Sequence, residues 1–205
     1  MHQEIFSKEQ QELLSFIQSF KSKFYLVGGT AIALQIGHRK SIDFDLFCRK
    51  PFSIATIHKK VVDFNLNHKT LFRSDDQIHY IINGVKITFF YYPFSIPSEV
   101  NLGKVISMPD LLSLSAMKAF ALGRRAKWKD YVDLYFLLKH HVSITTVSEK
   151  AKELFGGEFS SKLFRQQLAY FNDIDYQEEV FYLPGFEVSE EEVKDFLVEI
   201  ATRPF

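Results

Sequence analysis

The 205-residue chain holds a single cysteine, Cys48, and its 25 basic and 25 acidic side chains cancel to a formal net charge of zero. One cysteine excludes an internal disulfide and any zinc site made of several thiolates within one chain, and it fits a reducing compartment. No apolar run reaches the ~18 residues that cross a membrane. The N-terminus, Met1-His2-Gln3-Glu4, lacks the basic segment and apolar stretch of a secretory signal, so a cytoplasmic location is expected. Internal repeats, low-complexity tracts and Pro/Gly-rich linkers are missing too, with only 9 glycines and 6 prolines in the chain.

What is present is the composition of an ordinary globular chain, 46% hydrophobic and 24% charged, not that of a disordered one. The length suits one domain, or one domain with an appendage, and supplies ample material for a core. Aromatics reach 16% and include 22 Phe, so that core should be rich in Phe. The zero net charge hides a division. Met1 to Ser143 carries 19 basic and 12 acidic residues, and Ile144 to Phe205 carries 6 and 13. Such asymmetry marks a body that meets a polyanion and a tail that does not; it also fits tail helices that are simply well solvated.

Along the chain, Ser7 and Gln10 have the spacing of a capping box ahead of a helix to about Lys21. Phe24 to Val27 reads as a short buried strand stopped by Gly28-Gly29, and Thr30 to Ile36 as a helix closed by Gly37. Ile42 to Phe47 alternates apolar and acidic residues, which predicts a strand. Ile54 to Phe64 reads as a helix. Strands at Gln77 to Ile82 and Val85 to Tyr91 are joined by Asn83-Gly84, a pair suited to a tight hairpin turn. A short strand around Lys104 to Ile106 leads to Pro109 and a helix to about Leu122. A basic stretch, Arg124-Arg125-Ala126-Lys127, precedes a helix from about Lys129 to His140, and three acidic helical pieces follow from Thr145. The order predicts an α+β fold: a small mixed sheet with flanking helices over residues 1–107, then a helical C-terminal part over 108–205.

Two features carry chemistry. A strand, a glycine pair and a helix start make a phosphate-binding geometry, because Gly28 and Gly29 let backbone N–H groups approach an anion and the helix N-terminus attracts it. A tight turn uses the same residues, so this signal is weak alone. Asp43 and Asp45, two apart on a strand, project from one face about 7 Å apart. Their mutual repulsion favours a cation nearby, and Mg²⁺ is usually held by one or two carboxylates plus substrate phosphates. The bland alternative is an acidic strand face beside Arg39, Lys40 and Arg49.

Taken together, Val27-Gly28-Gly29-Thr30-Ala31 through Gly37-His38-Arg39, then Ser41-Ile42-Asp43-Phe44-Asp45-Leu46-Phe47, closely resemble the AbiEii/AbiGii toxin family of nucleotidyltransferase-like proteins. So do Pro109-Asp110-Leu111, Met117-Lys118-Ala119, Arg124 and Lys129-Asp130-Tyr131-Val132-Asp133-Leu134. The resemblance runs from about Phe24 to Leu138. It implies a polymerase-β-like nucleotidyltransferase core, a nucleoside triphosphate substrate with Mg²⁺ or Mn²⁺, and transfer of nucleotides to RNA, notably tRNA. It also implies a toxin role in a toxin–antitoxin or phage-defence pair, with a cognate antitoxin as partner.

On that resemblance Asp43 and Asp45 hold the metal, and Gly28, Gly29 and Thr30 cradle the phosphates. His38, Arg39, Ser41 and Arg124 join the nucleotide site, and Lys118 sits at the phosphates. Asp130 and Asp133, three apart on one helix face, orient Lys118, ligate metal or act as a base. One position departs from the pattern. Many active nucleotidyltransferases carry a third carboxylate on a later strand, where this chain has Thr88 or a Phe. Asp130 or Asp133 could replace that carboxylate, or the chain could be a nucleotide- or RNA-binding module without catalysis; a phosphotransferase that moves the γ-phosphate is a separate alternative. Cys48, Trp128 and Tyr131 are expected to pack, and His140-His141 to favour a helix C-terminus.

Overall fold

The computed structural model describes residues 1–204. The chain forms two compact units, Met1–Ile36 with Ser41–Asp110, and Gly37–Lys40 with Leu111–Phe205.

The first unit opens with α1 (Lys8–Glu12) and α2 (Leu14–Gln18). The capping box forms as expected: Gln10 N donates to Ser7 Oγ at 3.2 Å, and Ser7 N donates to Gln10 Oε1 at 3.0 Å. The single helix expected here is interrupted at Leu13, whose ψ of −5° lies off the α-helical value. Then come β1 (Tyr25–Val27), α3 (Gly28–Ile36), β2 (Phe44–Cys48), α4 (Ile54–Asp63), β3 (His68–Arg73), β4 (Gln77–Ile82), β5 (Val85–Tyr91), β6 (Val100–Leu102) and β7 (Ile106–Met108).

Among the described residues five strands form one sheet in the order β1-β2-β5-β4-β3, and β6 pairs with β7. Only β2 and β5 run parallel, so the sheet is mixed. The β4–β5 hairpin turns on Asn83 (φ 48°) and Gly84 (φ 85°), the positive pair that a two-residue turn needs. Period-two alternation sorts the two faces. Phe44, Leu46 and Cys48 of β2, Ile87 and Phe89 of β5, and Ile78, Tyr80 and Ile82 of β4 are buried on one side. Phe89 packs there against Phe20 and Phe24 at ring-centroid distances of 4.8 and 5.3 Å, so the core is rich in Phe as composition implied. Asp45, Thr88 and His79 share the other face.

Three strands, β3, β6 and β7, differ from expectation. β3 has no counterpart in the sequence reading, because its residues are nearly all exposed and show no alternation. A bulge between Thr70 and Phe72 also breaks its period. The strand expected at Lys104 to Ile106 lies two residues later, as β7, and pairs with the equally unexpected β6.

The second unit is helical: α5 (Leu111–Leu122), α6 (Trp128–His140), α7 (Ile144–Phe155), α8 (Ser161–Leu168) and α9 (Glu190–Thr202). Trp128 and Tyr131 are buried, and Phe120 stacks on Phe155 at 4.0 Å. Ser143, Ser160 and Ser189 each accept a hydrogen bond from a first-turn N–H of the helix that follows, satisfying donors that have no partner within the helix. None of the helices among the described residues is long and apolar enough to cross a membrane.

Phe89 is fully buried at the centre of the ring cluster. Its replacement by Ala should lower unfolding free energy by about 3–5 kcal/mol through lost transfer energy and a residual cavity. Chemical denaturation with an unchanged denaturant slope would register this.

Candidate active site

In the first unit the glycine turn meets the Asp45 carboxylate. α3 begins at Gly28, directly after β1, and Val27 pairs with Asp45 across the sheet. Gly28 has φ +74°, and a Cβ placed there would overlap Oδ2 of Asp45. The missing side chain therefore lets the carboxylate rest against the backbone that opens α3. The first N–H groups of a helix have no partner within it, which gives this end its affinity for anions.

Thr30 and Ser41 hold the strand entry. Thr30 Oγ1 lies 2.9 Å from Ser41 Oγ and also bonds the Asp43 carbonyl. A carbonyl can only accept, so the Thr30 proton goes to Asp43 and Ser41 donates to Thr30. Gln10 Nε2 donates to the Ser41 carbonyl at 2.9 Å. Thr30 and Ser41 thus act on the backbone that carries Asp43. Asp43 precedes β2 by one residue, and Asp43 and Asp45 are both half-buried. Among the described residues no group of three or more His, Cys, Asp or Glu side chains is arranged to hold a metal. Two carboxylates two residues apart are instead a partial donor set. It fits a hard dication such as Mg²⁺, which draws its remaining ligands from water and phosphate.

Thr88 lies in register with Asp45 on the neighbouring parallel strand and is 8% exposed. The polar group that β5 places beside Asp45 is therefore a hydroxyl.

In the second unit a buried charge cluster gathers five more of the predicted residues. Asp133 accepts Arg39 through both oxygens, Nε to Oδ1 at 2.7 Å and Nη2 to Oδ2 at 2.9 Å, a bidentate fork. It also accepts His38 Nε2 at 2.7 Å and Lys118 Nζ at 2.7 Å. Lys118 bonds Asp130 as well, and Arg125 Nε reaches Asp130 Oδ2 at 3.0 Å. Asp130 and Asp133 are fully buried, with Lys118 and Arg39 nearly so. Burial opposes the Asp133 charge, but Arg39, Lys118 and His38 hold its carboxyl well below the usual carboxylate range. Burial pushes the His38 imidazole down against its bond to Asp133, leaving it neutral at pH 7. Two buried cations then balance two buried anions.

The remaining predicted positions are surface or packing residues. Arg124 is exposed, with its guanidinium 3.6 Å from the centroid of Phe120 and 3.4 Å from Glu158. Lys127 and Lys129 of the basic stretch both bond Glu178, whose carboxyl is pulled down to about 2 by the two ammonium groups despite burial. Cys48 is buried, and desolvation pushes its thiol up to about 11, so it packs and does not react. Arg125, expected only as part of a basic stretch, is a member of the charge cluster. Sequence reasoning also overlooked His79, which pairs with Thr88 on β4.

Removing the Asp133 charge leaves Arg39 buried without its carboxylate, while Lys118 keeps only Asp130. Asp133→Asn should therefore cost about 3–5 kcal/mol at neutral pH. The folded-state pKa of Asp133 lies below its ordinary 3.8, so its contribution is full above that value and is lost as pH falls through the folded one. Urea unfolding at a series of pH values should show the parent and the variant far apart at pH 7 and converging below pH 3.8.

Comparisons to known proteins bear on the family and the fold. The family model described as nucleotidyl transferase AbiEii toxin, type IV toxin–antitoxin system, matches residues 13–104. The uncharacterized protein aq_aa25 of Aquifex aeolicus (strain VF5) is 32% identical over 195 residues, 92% of each chain. Two solved structures share the fold. The nucleotidyltransferase toxin MenT4 of Mycobacterium tuberculosis H37Rv has a TM-score of 0.61 at 12% identity, over 94% of this chain and 80% of that one. JHP933 of Helicobacter pylori has a TM-score of 0.58 at 20% identity, over 96% and 91%. With the glycine turn, the paired aspartates and the mixed sheet in place, the chain belongs to the AbiEii nucleotidyltransferase toxin family.

Proposed function

We propose that the protein is an enzyme that moves a nucleoside monophosphate from a nucleoside triphosphate to a hydroxyl of an RNA acceptor, with Mg²⁺ or Mn²⁺ held by Asp43 and Asp45. The observation that carries this reading is the contact between the Asp45 carboxylate and the Gly28 backbone. It joins a cation-binding group to an anion-binding helix start, the two halves of a metal–triphosphate site. When bound, the cation would neutralise the triphosphate and acidify the acceptor hydroxyl. The backbone N–H groups at the start of α3 would receive the phosphates. Thr30 and Ser41 keep Asp43 in place through its carbonyl. Asp130 and Asp133 serve as positioning residues in this reading, holding Lys118 and Arg39 through buried ion pairs. A cognate antitoxin is the protein partner that the family membership suggests.

Thr88 supports a second reading. In the register opposite Asp45 it supplies no proton acceptor, which suits a module that binds a nucleotide or RNA without transfer. Labelled triphosphates separate the cases. Incubation with total RNA should incorporate α-label but not γ-label, and Asp43→Ala or Asp45→Ala should reduce incorporation at least ~10³-fold with an unchanged melting temperature. Incorporation of γ-label would establish phosphotransfer instead. Triphosphate binding with no labelled product under any metal would establish the binding module.

A further inference from the structure

We propose that the face of the sheet running outward from Asp45 is the seat of a single-stranded RNA acceptor, with Phe72 and His79 as a stacking platform. Lys86 and Lys69 would face the strand's phosphates. This rests on the nucleotidyl-transfer reading and goes further, by saying where the acceptor lies and in what form.

Register places these residues in rows. Val27 pairs with Asp45, Asp45 with Thr88, Thr88 with His79, and His79 with Phe72. Paired residues share a face of a sheet, so this row crosses all five strands on the side opposite the Phe core. Neighbouring strands lie about 4.8 Å apart, so Phe72 stands roughly 14 Å from Asp45. A few nucleotides of single strand span that distance. The next row joins Lys69, Ile81 and Lys86. It puts two cations alongside the aromatic row, which is the charge that a phosphate backbone requires.

The bulge in β3 makes this arrangement possible. Lys69 and Phe72 are three apart and would lie on opposite faces of a regular strand. The extra residue between Thr70 and Phe72 returns Phe72 to the face of Lys69. Phe72 is 48% exposed, and its ring stands 5.4 Å from that of His79. The His79 Nε2 donates to Gln77 Oε1 at 2.9 Å, which fixes the ring. Burial and Lys86 push this imidazole down, against a pull from Asp45, so it is neutral at pH 7. A large exposed aromatic ring beside lysines, in line with the carboxylates, suits unstacked bases. Every base has a face to stack, whereas a duplex hides them.

Fluorescence anisotropy with the full chain and an end-labelled single-stranded oligoribonucleotide tests the proposal. Phe72→Leu keeps an apolar side chain but removes the stacking surface, and should weaken binding about tenfold or more. Phe72→Tyr should bind like the parent, and the same sequence as a duplex should compete poorly. A protein partner docked on the open edge of β3 would tolerate Leu at position 72. Equal affinity of Phe72→Leu and parent, absence of binding by the parent, or equal competition by duplex would each overturn the proposal. The transfer assay fails independently. Phe72-dependent binding without incorporation would leave the surface standing and remove transfer. Incorporation with Phe72-independent binding would remove only the surface.

Discussion

The site depends on one close approach, the Asp45 carboxylate lying where a Cβ of residue 28 would be. Only glycine permits it, and only glycine accommodates φ +74° there without strain. Everything local follows from that contact. β1 ends at Val27 because the chain turns at once into α3. The pairing of Val27 with Asp45 brings β2 alongside, and Thr30, in the first turn of the helix, ties down the carbonyl of Asp43. A carboxylate pair and a helix N-terminus repel and attract anions respectively, so the two are useful side by side only when a cation mediates. That is the physical reason to read them as one metal–phosphate site.

A second constraint lies in the other unit. Asp133 spends both oxygens on Arg39, His38 and Lys118. These bonds fix Gly37–Lys40, the four residues between the end of α3 and Ser41 in the chain, to α6 and α5. A balanced, fully paired cluster is tolerated in an interior where any single unpaired member would be costly. The predicted site residues thus divide into two kinds. Asp43 and Asp45 are half-buried, whereas Asp130, Asp133, Lys118 and Arg39 pair with one another in the interior. The acidic C-terminal part has a comparable local role, since Glu178 covers Lys127 and Lys129 and Glu192 pairs with Lys139. The zero net charge is therefore realised in part as ion pairs within the helical unit.

Much of this was legible in the sequence for definite reasons. The capping box at Ser7, the glycine turn, and the Asn83-Gly84 hairpin are local signals, and each is found where expected. The hairpin even fixes His79 opposite Thr88 by counting back from Ile82 and Val85. β3 was not legible, because an exposed edge strand buries too little for its alternation to show, and its bulge shifts the phase. The partnership of Arg39 with Asp133 was not legible either. The two are 94 residues apart, and nothing local distinguishes a buried arginine from a solvated one. Thr30 and Ser41 are residues of the predicted phosphate site, yet their hydroxyls bond to each other and to the Asp43 backbone. Residue type marked these positions but not which atom each residue contributes.

The central claim is that Gly28 and Asp45 make one site for a metal–triphosphate. Its most direct test is electron paramagnetic resonance of Mn²⁺ titrated with the protein, in the presence and absence of a nucleoside triphosphate. The account predicts that the parent removes the free-Mn²⁺ signal only weakly alone and strongly with triphosphate. Asp45→Asn and Gly28→Ala should each lose at least about tenfold in that combined affinity while remaining folded. Undiminished Mn²⁺–triphosphate binding by both variants would contradict it.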